Sequence, residues 1–291
     1  MLTIGKGGVV VLGEKPHRVV GGTFTSSIGE ITFSLVANST YLLPIESVIA
    51  DNGGMRVGLN IVGPSTWLGY RGIGFTGNKA NTFSGDINIT GGARLDLYKE
   101  DGVVSVSGNL NVREGATAAV FRSGQIARKS RVLLQSKSKA PSVLGLTGAH
   151  RKDIREVFHE LKVDGNAVVS FFLEKNQNPH GLREIILDDL DVMAGSHLLI
   201  KEWQDGRDRL LVRKDSAHVR DSLGRIEFEN HDTRTVNLRD YDKDYWELYA
   251  LVPEPSTYGA LFGAVGFGLG LLRGRLLAKR GKRANCVNAA R

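Results

Sequence analysis

Four stretches of this chain superimpose, and that superposition restricts the fold more than any other feature. They are "DINITGGARLDL" from Asp86, "NLNVREGATAAV" from Asn109, "ELKVDGNAVVSF" from Glu160 and "DLDVMAGSHLLI" from Asp189. Each has two apolar residues two apart, a glycine-containing bend, and a second alternating run. The apolar set is Ile87, Ile89, Ala93, Leu95 and Leu97 in the first, and Leu110, Val112, Ala116, Ala118 and Val120 in the second. It is Leu161, Val163, Ala167, Val169 and Phe171 in the third, and Leu190, Val192, Ser196, Leu198 and Ile200 in the fourth. Alternation of period two is the mark of a strand with one buried face. The starts lie 23, 51 and 29 residues apart, near the length of one coil of a β-solenoid, in which each coil buries its inward row only by stacking on the next. The longest interval predicts a degenerate unit around residues 131–135. Gly91-Gly92, Gly115, Gly165 and Gly195 suit corners that need positive φ or close backbone approach.

Two regions depart from the repeat. In "RKDIREVFHEL", residues 151–161, Ile154, Val157, Phe158 and Leu161 stand at helical spacing, while Leu161 and Val163 keep the strand phase. We expect strand in the second half and allow a helical turn before it. From Leu198, "LLIKEWQDGRDRLLV" reads as two runs around Asp205-Gly206, a hairpin-turn dipeptide. A hairpin there would close the open edge of the last coil. The expected division is a solenoid body over residues 1–197 and a strand or hairpin cap over 198–251. The opening "MLTIGKGGVVVLGEKPHRVV" offers only Val9 to Leu12 as an apolar core, with no small-residue cleavage site after it. It already reads as mid-solenoid, so a truncated or misassigned start is expected.

The charge is placed unevenly. The chain has 38 basic and 31 acidic residues, and seven of the basic ones lie from Arg273 onward with no acid among them, leaving 31 against 31 before that point. A neutral body without aromatic residues interleaved among its terminal charges argues against nucleic acid as a partner. Arg273, Arg275, Lys279, Arg280, Lys282 and Arg283 follow an uncharged apolar run at residues 257–272, the pattern that orients a membrane helix with its basic end in the cytoplasm. Sixteen residues at about 1.5 Å each reach roughly 24 Å, short of an approximately 30 Å hydrocarbon core. Snorkelling arginines or a locally thinned bilayer make up the difference. Gly259, Gly263, Gly266 and Gly270 fit either a close helix–helix contact or a plain glycine-rich anchor.

Ahead of that run stands "VPEPSTYGALFGAVGFGLGLLRGR", in which Pro253 and Pro255 bracket Glu254. Two prolines cannot continue a ladder or a helix interior, so they enforce an extended linker that suits either a peptidase or a rigid spacer. The order of box, short apolar helix and arginines resembles a PEP-CTERM sorting signal. That resemblance implies an exported bacterial protein whose tail is recognised at Pro253, Glu254 and Pro255 and removed by an exosortase-type membrane peptidase. Here the chain runs on past the arginines through residues 276–291, a basic tail on the cytoplasmic side. In the body, "GIGFTGNKANTFSGDINITGGARLDLY" from Gly72 resembles the autotransporter-associated β-strand repeat, with "TGNKANTFSG" at that family's turn. This second resemblance implies a right-handed parallel β-helix of a secreted protein.

The fold class expected is therefore all-β: a right-handed parallel β-helix with a C-terminal hairpin or cap, then one short hydrophobic helix. Candidate chemistry is sparse. Asp188, Asp189 and Asp191 crowd one segment, and β-helix polysaccharide lyases and hydrolases use aspartates for calcium or for acid–base work, but Leu190 and Val192 point inward, which makes Asp189 and Asp191 an expected solvated outer edge. Asp240, Asp242 and Asp244 begin like a calcium loop, yet Tyr245 and Leu251 stand where glycine and glutamate are needed. The seven histidines show no metal-ligand spacing and are expected at the surface. The lone Cys286 lies in the tail. We expect no enzyme, cofactor or metal, but a structural or adhesive surface protein whose partners are the sorting peptidase, the membrane and, as a further candidate, exopolysaccharide. The alternative is a polysaccharide-active β-helix enzyme.

Overall fold

The computed structural model describes residues 1–251 except 7, 12–16, 36–41, 64–71, 148–152, 172–180, 230 and 232–234. The apolar alternation is realised as parallel strands stacked into a β-solenoid of about seven turns. In each coil the chain passes along a first, a second and a third face. On the second face Leu59, Ile87, Leu110, Val132, Leu161 and Leu190 stand in register from coil to coil, all fully buried. On the third face Leu95, Ala118, Leu144, Val169 and Ile200 do the same. The degenerate unit is present as the strand Arg131–Ser136, paired with the coils on both sides. The bends are corners: Gly165 has φ +101°, and a Cβ there would stand 2.0 Å from the Ser136 carbonyl oxygen of the coil before, so close stacking and backbone conformation both demand glycine.

Three expectations are corrected. Residues 154–170 form one strand, Ile154–Ser170, without a helical turn among its described neighbours. Its helix-like spacing arises because His159 and Glu160 both face outward at a corner, which shifts the inward phase from Phe158 to Leu161. The fourth repeat is offset: Val169 pairs with Ile200, not Leu198, because its corner holds two more residues. An offset of two leaves the same side chains inward, so the burial pattern hides it. Finally, Asp205-Gly206 makes no hairpin. His197–Lys201 pairs with neighbouring coils on the third face, and Asp208–Arg213 begins a further coil, pairing in parallel with Arg183–Val192. The coils thus continue past residue 197 to the third-face strand Ile226–Phe228.

The closing hairpin lies later. Tyr245–Ala250 pairs antiparallel with both Asp208–Arg213 and Val236–Asp240, which reverses the strand direction and ends the stack on the first face. On the second face the helix Val219–Ser222 lies where another strand would lie. Val192 N donates to Ser222 Oγ at 2.9 Å, and Arg225 Nε donates to Val192 O at 2.7 Å, so side chains satisfy the strand edge. Trp203 packs edge-on against Phe171 and Phe228, each with ring centroids 5.0 Å away, beside the third face.

The first face is built in two ways. It is strand at Leu2–Ile4, Thr23–Ser26 and Val48–Ile49, and again from Ile154 onward. In the middle coils it shrinks to the isolated bridges Ala50–Thr82 and Val106–Ile126. There a buried line of side chains replaces the ladder. Asn81 accepts from Ile49 N at 3.1 Å and donates to Ser105 O at 2.9 Å. Ser105 Oγ donates to Gln125 Oε1 at 2.7 Å, and Glu156 accepts from Gln125 N at 2.8 Å and Ile126 N at 3.1 Å. Asn81 belongs to the "NTFSG" turn, which closes on Gly85, where a Cβ would meet Val57 O at 2.4 Å.

Candidate functional site

The outward side of the second face carries the residues that the sequence singles out for chemistry. Asp188 and Asp189 occupy the corner of their coil, and Asp191 follows on the strand. Asp188 accepts from Arg128 Nη2 at 3.0 Å and meets His159 Nδ1 at 3.2 Å, so three successive coils converge on one carboxylate. Asp191 accepts from Lys162 Nζ at 2.6 Å, a bond that raises the lysine above its ordinary range. Asp189 takes the Ser216 hydroxyl on Oδ1 together with His218 N, and its Oδ2 meets His218 Nδ1 at 2.5 Å. Burial pushes the Asp189 carboxyl up, but the bonds from Ser216 and His218 outweigh it and hold the group low. The expected solvated edge is instead tied between coils: Lys162 stands in register with Asp191 at the strand spacing of about 4.8 Å, while Asp189, opposite Glu160, is held by Ser216 and His218. Asp189 fixes the segment before the helix Val219–Ser222, which is a structural task.

In earlier coils the same face carries a line of amides. Asn88 Nδ2 donates to Asn60 Oδ1 at 3.0 Å, and Asn111 Nδ2 to Asn88 Oδ1 at 2.9 Å, an amide ladder along the axis. Of the calcium-like aspartates, Asp240 pairs with Lys214, and Asp242 Oδ1 accepts from Asp244 N and Tyr245 N, shaping the hairpin turn. Among the described residues no three His, Cys, Asp or Glu side chains converge as a metal site would require. His159, His197 and His218 are at the surface as expected, each beside a carboxylate of another coil.

Sequence reasoning missed the buried charges. Arg183 grips Asp208 of the next coil with Nε–Oδ1 2.6 Å and Nη2–Oδ2 2.9 Å, and the two side chains are 2% and 0% exposed. Burial pushes Asp208 up to about 6 against the pull of Arg183. Glu156 is pushed up to about 8 by burial, against the backbone N–H groups of Gln125, Ile126 and Gly124. Burial likewise lowers Lys99 to about 8, with its Nζ on Thr76 O at 3.0 Å. The only sequence signal was a charged residue at an inward-phase position, as at Glu156 between Ile154 and Phe158.

Pro253, Glu254, Pro255 and the basic cluster Arg273, Arg275, Lys279, Arg280, Lys282 and Arg283 lie outside the described residues, as does the apolar run at 257–272. Among the described residues no helix is long and apolar enough to cross a membrane. The chain divides into two units, Met1–Ala250 and Leu251–Arg291. Comparison with known protein families, curated proteins and solved structures finds no match to the chain.

Proposed function

We propose that this chain is an exported structural or adhesive protein of the bacterial cell surface or matrix, delivered by its C-terminal sorting signal. The observation that carries this reading is the position of the fold's end. The last strand stops at Ala250 and only Leu251 and Val252 separate it from Pro253. Scission at Pro253–Glu254–Pro255 therefore leaves every strand of the body intact. A stack of about seven turns rising about 4.8 Å each makes a short rigid module with long polar outer faces, suited to display. The aspartates that favour an enzyme reading are occupied in joining coils and seating the terminal helix.

The test is the C-terminal mass of the protein recovered from envelope and medium of its native host, with and without the sorting peptidase. Ends near residues 253–255, present only with the peptidase, are expected. Retention of residues 273–291 in every mature molecule would overturn sorting and make the tail a permanent anchor.

A further inference from the structure

The end of the second face is held by side-chain contacts rather than by a strand ladder, and one of them joins a histidine ring to a carboxylate. In the coils before it, backbone ladders join neighbours along this face. At residues 189–192 the partner is the segment around the helix Val219–Ser222, attached through Asp189, Ser222 and Arg225. Asp189 meets His218 by both its backbone N–H and its ring. We propose that residues 216–225 form a proton-sensitive latch over this strand edge, tight when His218 is charged and looser when it is neutral. The groups acting on the ring are Asp189 and Asp191 from the covered strand and Lys162 from the strand before it; Arg220 and Asp221 lie on the latch's own helix. Asp189 raises His218 above the ordinary imidazole range through their hydrogen bond. A folded-state value above the unfolded one means that the stabilisation is complete below the unfolded value and is lost as pH rises through the folded one. His159 with Asp188 and His197 with Glu227 also join coils at this end.

Hydrogen exchange of the full chain at pH 6 and pH 8, corrected for intrinsic rates, tests the latch. Protection at residues 189–192 and 216–225 is expected to fall about threefold to tenfold more than at residues 87–90 and 110–113. Glu156 is a second group that loosens the fold as pH rises, so it is the excess loss at residues 189–192 and 216–225 that must vanish in His218→Gln, which cannot titrate. An equal change in both regions, or an unchanged pH response in that variant, would overturn the proposal. A ring titration by NMR on the unmodified protein gives a readout that needs no variant: a His218 value at or below that of free imidazole side chains sinks the latch.

Discussion

The middle and the last coils solve the same problem on the first face by different means. From Ala50 to Ile126 the face is reduced to bridges, and Asn81, Ser105 and Gln125 carry hydrogen bonds from coil to coil. From Ile154 to Arg213 it is full strand; Glu156 ends the side-chain line where the strand begins, and the next coils bury a charge pair, Arg183 with Asp208. Buried backbone groups must be paired in either case. Where the ladder shrinks to bridges, the side chains of Asn81, Ser105 and Gln125 supply donors and acceptors. Where the strands lengthen, the ladder returns and Arg183 and Asp208 are buried against each other.

The comparison is sharpened first at the charge pair. Arg183→Met is expected to destabilise the fold by about 4 kcal/mol, since it strands Asp208 in the interior. Arg183→Met with Asp208→Leu should recover much of that loss in denaturant unfolding. A single variant within 1 kcal/mol of the parent would show that the last coils do not depend on the pair. Gln125→Ala comes next, at about 3 kcal/mol, because it removes the acceptor of both Lys99 N and the Ser105 hydroxyl in a fully buried site. If this variant unfolds like the parent, the side-chain line is not what replaces the ladder. Smallest is Asn88→Ala on the outer amide ladder, expected below about 1 kcal/mol because water can re-pair its neighbours. A larger loss would mean that the outer ladder, and not the inner line, holds the middle coils.

Legibility in the sequence followed the same division. The inward rows were readable because a stack forces one period on every coil, down to the degenerate unit at residues 131–136. Gly165 and Gly195 were readable because a corner's positive φ admits few other residues. The partnerships of Asp188, Asp189 and Asp191 were not. Their partners, Arg128, His159, His218 and Lys162, are 60, 29, 29 and 29 residues away in the chain, and only coil length brings them together. The hairpin signal at Asp205-Gly206 misled for a related reason: a turn dipeptide specifies a bend but not what the next strand pairs with.

By itself, then, the sequence determined the all-β class, the inward side chains, the corners and the place where the body gives way to the Pro253–Pro255 box. These are local consequences of period, φ and proline geometry. Only the tertiary structure decided the two-residue offset of the fourth repeat, the true closing hairpin, the buried line from Asn81 to Glu156 and the ion pairs of the outer face. Each of those depends on which coil lies above which, and a period-two pattern looks the same after any shift of two.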